Sequence, residues 1–376
     1  MSSKIIVIGN GFDLAAGAKT SYANYFESDF YKETKEKAIK WINYCLAGNY
    51  RESSLAVLYE DDPSPFNCWD LLFCMKSSHI DRLNCYSSIR NWCDIEQVIH
   101  ESLTQRDKRV FSWRVIYDYI HELKRDVWGQ VTNYPTLEEN NIMFKFLIST
   151  GWVEKSESLD HFYNLLLGEL NKFERSFGLY ILSVTSESEE YLFNAKRNVE
   201  LLAHSKENIL VDSFNYSNFY GEQCTIRHIN GDADNPIFGI DLNEEDEAKF
   251  YEARCFTKTS RRLQQDALNI SDVVDIGVDS INEAVVFGHS LNAMDFDYFN
   301  YLFTLLKFNT FDIDYMGRIE FVYKLHSENS HEYRTQYADK VYRILNRYEK
   351  YVSQSSQHIL INLLRFSGKL SIVELS

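Results

Sequence analysis

Proline is scarce, with four among 376 residues, well below the ~5 % of ordinary proteins, which argues against a disordered or β-rich chain. Cysteine occurs at positions 45, 68, 74, 85, 93, 224 and 255, never as CxxC, and an odd number fits a secreted disulfide scaffold poorly. The thiols therefore read as reduced and the protein as cytoplasmic. No stretch approaches the roughly 18 consecutive apolar residues of a membrane span, and the run 5–8 is too short for the core of a signal peptide; no membrane partner is expected. Positive charge is in deficit: 39 Lys and Arg against 55 Asp and Glu give a net charge of −16, the wrong sign for a general nucleic-acid binder. The ten histidines are dispersed and share no zinc-type spacing with the cysteines, so no metal is expected.

What remains is ordinary globular composition, 45 % hydrophobic and 25 % charged, in a length that supports one large domain or two. Residues 5–8, Ile-Val-rich and ending at Gly9-Asn10-Gly11, read as a strand buried on both faces that runs into a turn. Similar short runs recur at 209–211, 225–229, 237–240, 284–287, 319–323 and 359–363, so the remaining strands are expected after residue 205. Between 20 and 205 the periodicity is helical instead. Trp113, Ile116, Ile120, Leu123 and Val127 recur at spacings of three and four, as do Leu159, Phe162, Leu166, Leu170, Phe173 and Phe177. Pro63 and Pro65 mark a loop over 61–65, and the acidic run 243–247 reads as a solvated helix start. The expected organisation is an α/β sheet domain of residues 1–20 and 205–376, with a mainly helical module of residues 21–204 inserted after the first strand.

Four segments carry candidate chemistry. Gly9-Asn10-Gly11-Phe12-Asp13, with Gly17 beyond, sits where a strand becomes a helix; glycines there admit close approach of a phosphate to backbone N–H groups. The spacing is G-x-G-x5-G, which disfavours an orthodox dinucleotide dehydrogenase, and a tight turn without ligand is the alternative. Asp212-Ser213-Phe214-Asn215-Tyr216-Ser217-Asn218 follows a strand, where open α/β sheets bind ligands and where Asn and Ser also make simple turns. In Arg227-His228-Ile229-Asn230-Gly231, a strand over 225–229 would put His228 and Asn230 on one face; a hydrogen-bonded structural histidine is the alternative. Gly288-His289-Ser290-Leu291 ends another hydrophobic run and is followed by Asp295 and Asp297. There Ser290 serves either a ribose or phosphate, or the start of the next helix.

Taken in order, these segments resemble the AbiH abortive-infection family of bacterial anti-phage proteins and, more distantly, the sirtuin-like NAD-binding superfamily. The AbiH likeness lies in G-N-G-F-D-L, F-N-Y and F-G-H-S-L. The sirtuin-like motifs G-A-G-x-S-x3-G, T-x-N-x-D, H-G and G-x-S-L are matched in spacing by Gly9, Gly11, Asp13 (in place of the Ser) and Gly17, by Asn215, by Gly231, and by Gly288, Ser290 and Leu291. The resemblance implies a Rossmann-like parallel sheet of the sirtuin-like or DHS-like kind. It implies an NAD pocket in which an Asn positions water at the anomeric carbon and a His acts as base. Asn215 would be the first. The residue before Gly231 is Asn230, and an amide cannot act as a base near neutral pH, so His228 would be the second. The implied nucleotide site comprises Gly9, Asn10, Gly11, Phe12, Asp13, Gly17, Asn230, Gly231, Gly288, His289 and Ser290, with Asp13 directed at a ribose or at its own helix.

The leading expectation is an abortive-infection effector that binds NAD and hydrolyses it to ADP-ribose and nicotinamide. Two alternatives stand beside it. One is a non-catalytic nucleotide-binding sensor or scaffold whose helical module engages a phage or host protein as trigger. The other is a metal-dependent nuclease drawing on Asp94, Glu96, Asp295 and Asp297, with Arg254, Lys258, Arg261 and Arg262 as a local basic patch or the exposed face of a helix. A homo-oligomer is compatible with either defence role.

Overall fold

The computed structural model describes residues 3–47, 66–77, 92–123, 134–204, 209–219, 224–242, 244–264, 281–292, 295–324, 330–353 and 359–375. The expected loop at 61–65, Val127 and the Asp94 side chain lie outside the described residues.

The fold is mixed α/β. Six strands, β1 (Ser3–Ile8), β2 (Ile209–Ser213), β3 (Thr225–His228), β4 (Ile281–Phe287), β5 (Arg318–Tyr323) and β6 (Leu370–Glu374), form one sheet in the order β3-β2-β1-β4-β5-β6. Every neighbouring pair is parallel. The strand order reverses direction between β1 and β4. Burial on both faces explains why β1 is apolar from Ile5 to Ile8. Ile5 and Val7 join a core with Leu210, Val286 and Phe321 under the Phe296–Leu305, Ser330–Ser353 and Ile359–Phe366 helices. Ile6 and Ile8 join the opposite core with Val211, Phe287 and the Glu189–Ala203 helix. All four of these β1 side chains are fully buried, each contributing roughly 1.5–3 kcal/mol. Lys4, buried beside them, donates from Nζ to the Leu202 carbonyl at 2.6 Å, which satisfies one of the last carbonyls of the Glu189–Ala203 helix.

The chain divides into two compact units: residues 1–20, 181–234 and 265–376, which hold the sheet, and residues 21–180 and 235–264, which are helical. The helix Glu189–Ala203 therefore lies with the sheet, and 235–264 with the helices. Two expected strands differ. Residues 237–240 form no strand beyond an isolated bridge at Ile240, because Phe238 packs against Tyr22, Phe173 and Phe177 with ring centroids 5.4, 5.8 and 5.5 Å apart. Residues 359–363 belong to the Ile359–Phe366 helix: Leu360 and Leu364, one turn apart, are both fully buried, and the strand comes afterwards, at Leu370–Glu374. A short apolar run is ambiguous between strand and buried helix, and only the core it meets decides. The Trp113–Leu123 and Leu159–Thr185 helices follow their expected periodicity, and a helix, Glu244–Lys249, starts in the acidic run.

Neither a basic patch nor an exposed helix face forms from Arg254, Lys258, Arg261 and Arg262. Lys258 is 3 % exposed and pairs with Glu96 at 2.9 Å. Arg261 is 5 % exposed; it grips both Glu174 oxygens and the Phe238 carbonyl, and donates to Asn171 Oδ1 at 2.8 Å. Glu174 Oε1 in turn accepts from the Phe238 amide at 2.6 Å. These buried charges tie 235–264 to the helical unit. Removing one partner strands the other in the core, so Arg261→Ala is expected to destabilise the helical unit by about 3–5 kcal/mol. Urea unfolding followed by tryptophan fluorescence measures the loss; a change under about 1 kcal/mol would show that Glu174 finds water or another donor.

Candidate functional site

The carboxyl ends of β1, β2, β3 and β4 bring the candidate residues together. After β1 the chain turns through Gly9 into a short helix, Asn10–Ala15. The Gly9 amide donates to the Phe287 carbonyl at 3.1 Å and the Gly11 amide to the Gly288 carbonyl at 2.9 Å, while the Phe12 amide closes the turn on Gly9 at 2.8 Å. A Cβ on Gly9 would lie 2.7 Å from His289 Cα, and one on Gly11 would lie 2.8 Å from Gly288 Cα. Gly288 itself has φ +69°, a left-handed conformation that side chains resist. These glycines thus let the β1 turn and the β4 loop meet backbone to backbone, and the Gly9 and Gly11 N–H groups are committed to that contact.

The rest of the first motif points inward. Phe12 is fully buried, its ring centroid 5.0 Å from that of Phe219. Asn10, half-buried, accepts at Oδ1 from the Thr20 hydroxyl at 2.6 Å. Gly17, at φ +98°, ends the helix with nothing near its Cβ position. Asp13 is 1 % exposed and accepts from the Ser217 hydroxyl at 2.9 and 2.8 Å and from the Tyr191 hydroxyl at 2.9 Å. Asp13 therefore fastens the first turn to the segment after β2 and to the Glu189–Ala203 helix, not to its own helix start. Burial raises its carboxyl to about 6, although donors from Ser217, Tyr191 and Asn215 pull the other way.

Asn215 and His228 are in direct contact. The Asn215 side-chain amide donates to the Gly9 carbonyl at 3.0 Å and its backbone amide to Ser213 Oγ at 3.1 Å. His228 Nδ1 lies 3.1 Å from the Asn215 carbonyl. A carbonyl only accepts, so that contact assigns the proton to Nδ1 and leaves Nε2 as the basic nitrogen. Burial lowers the His228 pKa below its usual 6.5, with the Asn215 carbonyl and Asp232 acting in the opposite sense; the ring is neutral at pH 7. Strand β3 stops at His228, so Asn230, 1 % exposed, and Gly231, at φ +77°, lie in the turn beyond it and the expected alternation does not reach Asn230.

At the end of β4, His289 is 5 % exposed between Phe214 and Phe299, its ring centroid 4.4 and 5.2 Å from theirs. Its Nδ1 accepts from the Leu291 amide at 2.9 Å, and its Nε2 lies 3.6 Å from Asp295 Oδ2. Ser290 is exposed, and Asp297 stands exposed in the first turn of the Phe296–Leu305 helix. Glu96, the described carboxylate of the other acidic pair, belongs to the helical unit and is neutralised by Lys258. Among the described residues no group of three His, Cys, Asp or Glu side chains is arranged to hold a metal ion.

Sequence reasoning missed two buried networks. One is Tyr191 on Asp13. The other is Asp212, fully buried, with Arg227 bidentate upon it at 2.9 and 2.6 Å and the Tyr298 hydroxyl at 2.5 Å. A signal existed for the second: Asp212 and Arg227 are opposite charges that each stand one residue before the end of a strand, as a cross-strand pair would.

A family model described as "Bacteriophage abortive infection AbiH" matches residues 5–316, from β1 through β4 and the Phe296–Leu305 helix. No curated protein and no solved structure matches the chain. No helix among the described residues is long and apolar enough to cross a membrane.

Two outcomes follow from this geometry. Gly11→Ala inserts a methyl into backbone and is expected to lower stability by roughly 1–3 kcal/mol, read by thermal melting. Asp13 holds its proton more tightly folded than unfolded, so its contribution is greatest below about pH 4 and is lost as pH rises through about 6. Wild type is expected to lose about 3 kcal/mol over that interval from this group; in Asp13→Asn the corresponding slope disappears. Parallel pH profiles for the two proteins would contradict the assignment.

Proposed function

Because the chain belongs to the bacteriophage abortive infection AbiH family, we propose that it is an anti-phage effector that binds NAD at the carboxyl ends of its parallel sheet and hydrolyses it to ADP-ribose and nicotinamide. The observation that carries the reading is the His228–Asn215 contact of 3.1 Å. It supplies a neutral imidazole with a basic Nε2 beside the turns where open α/β sheets receive ligands. The strand order, reversing between β1 and β4, is the order of the doubly wound dinucleotide-binding sheets, and the Rossmann-like, sirtuin-like reading rests on that likeness.

The chemistry asks little of the protein. Nicotinamide departs from the ribose as a neutral molecule when the C1′–N bond breaks, and a water oxygen forms the new bond to C1′. His228 Nε2 accepts the proton of that water. Asn215 fixes the first turn through the Gly9 carbonyl and orients the imidazole through its own carbonyl. Asn10 and Ser290, half-buried and exposed at the ends of β1 and β4, are the polar side chains offered to the ribose or phosphates. Removing a general base costs on the order of 100-fold or more, so His228→Ala is expected to release nicotinamide at under about 1 % of the wild-type rate. Asn215→Ala is expected to lose activity too. Activity should fall on the acid side of 6.5 as His228 takes up its proton. Chromatographic assay of nicotinamide and ADP-ribose tests each; full activity in both variants would sink the mechanism.

The non-catalytic sensor draws support from a separate observation: the Gly9 and Gly11 amides are held by the carbonyls of Phe287, the last residue of β4, and Gly288, just after it, which leaves the first turn with fewer groups for a diphosphate. Equilibrium binding of NAD by wild type without nicotinamide release would select that reading. The nuclease reading has no comparable support, since Glu96 is held by Lys258.

A further inference from the structure

We infer that Asp212 is a positioning residue for His228: the fully buried Asp212 carboxylate, paired with Arg227 on one face of the β2–β3 ladder, holds the histidine, on the other face, with its Nδ1–H on the Asn215 carbonyl. Strand β3 is short. Its ladder with β2 has four rungs, Leu210 to Thr225, Val211 to Ile226, Asp212 to Arg227 and Ser213 to His228, and it is the terminal strand of the sheet. A slip of one residue would carry every β3 side chain to the opposite face, so something must specify the register. The β3 side chains are all only half-buried, and apolar burial specifies it weakly.

The Asp212 pair supplies the missing specification. Asp212 is fully buried and receives three directed hydrogen bonds, two from the Arg227 fork and one from the Tyr298 hydroxyl. An apolar pair of similar volume would hold two strands together as firmly, but without direction. A bidentate fork fits only one rung. The next rung is Ser213 to His228, where the Ile229 amide donates to the Ser213 carbonyl at 2.7 Å and His228 Nδ1 meets the Asn215 carbonyl at 3.1 Å. Tyr298 comes from the helix that follows the His289 loop, so the clamp also ties the β4 end to the β2–β3 end. Asp232, in the turn beyond β3, acts on the imidazole as a charge, and Arg227, its neighbour in β3, projects to the opposite face of the ladder. The consequence for NAD cleavage rests on the hydrolase reading; the state of the imidazole does not.

The experiment uses the full chain with 15N-labelled histidine, the His228 resonances being assigned by their absence in His228→Ala. Wild type is expected to show the Nδ1–H tautomer and a titration below 6.5. In Asp212→Asn the tautomers should mix and the titration move towards 6.5, while kcat for nicotinamide release falls roughly 10- to 100-fold and KM changes by less than about threefold. Tyr298→Phe, which removes one bond and keeps the Arg227 fork, should shift the same signals less. A folded Asp212→Asn protein with the wild-type His228 tautomer and titration overturns the inference. If Asp212→Asn does not fold, an unchanged His228 signature in Tyr298→Phe overturns it and a shifted one supports it. Shifted His228 signals in a protein whose wild type releases no nicotinamide uphold the positioning role and defeat the hydrolase reading alone.

Discussion

Everything at the candidate site depends on the close approach of two backbones, the turn after β1 and the loop after β4, at the point where the strand order reverses. Gly9, Gly11 and Gly288 make the approach sterically available, and the two amide-to-carbonyl bonds to Phe287 and Gly288 fix it. Once those turns are joined, the Gly9 carbonyl is presented to Asn215, and the Asn215 carbonyl to His228. A chain of hydrogen bonds thus runs from β4 through β1 and β2 to β3. A glycine motif usually read as a phosphate cradle is here first a junction between strands.

The second constraint is the burial of charge. Asp13, Asp212, Glu174 and Glu96 are each nearly or wholly buried, and each has donors: Ser217 and Tyr191, Arg227 and Tyr298, Arg261, and Lys258. Such pairs add little net stability over apolar packing, but they are directional and punish misplacement. In the sheet unit they fasten the first turn and the β2–β3 register. In the helical unit they anchor the segment 235–264. The acidic net charge of the chain therefore says little about the site, because Asp13 and Asp212, carboxylates at the strand ends, are internal structural groups.

Much of this was legible in the sequence. Local periodicity reported β1 to β5 and the long helices, because each is specified by its own residues and a face to bury. The glycine turn and the His228–Asn215 region were legible as strand ends rich in polar groups. The Ile359–Phe366 helix and the strandless run at 237–240 were not, since four or five apolar residues carry no decisive period. The tyrosine partners of Asp13 and Asp212 were hidden as well. Tyr191 lies 178 residues from Asp13 and Tyr298 lies 86 from Asp212, and no local pattern encodes a bond across such distances.

The sequence by itself determined the class of fold, the position of the first strand at the heart of a parallel sheet, and the segments whose ends meet there. Period-two burial and turn chemistry are properties of a few adjacent residues. Only the tertiary structure decided which glycine amides remain available, which carboxylates are internal, and which nitrogen of His228 carries its proton. Those are properties of groups that the fold brings to about 3 Å of one another across separations from 13 residues, at His228 and Asn215, to most of the chain, at Gly9 and Phe287; there hydrogen-bond direction and burial act and sequence spacing does not.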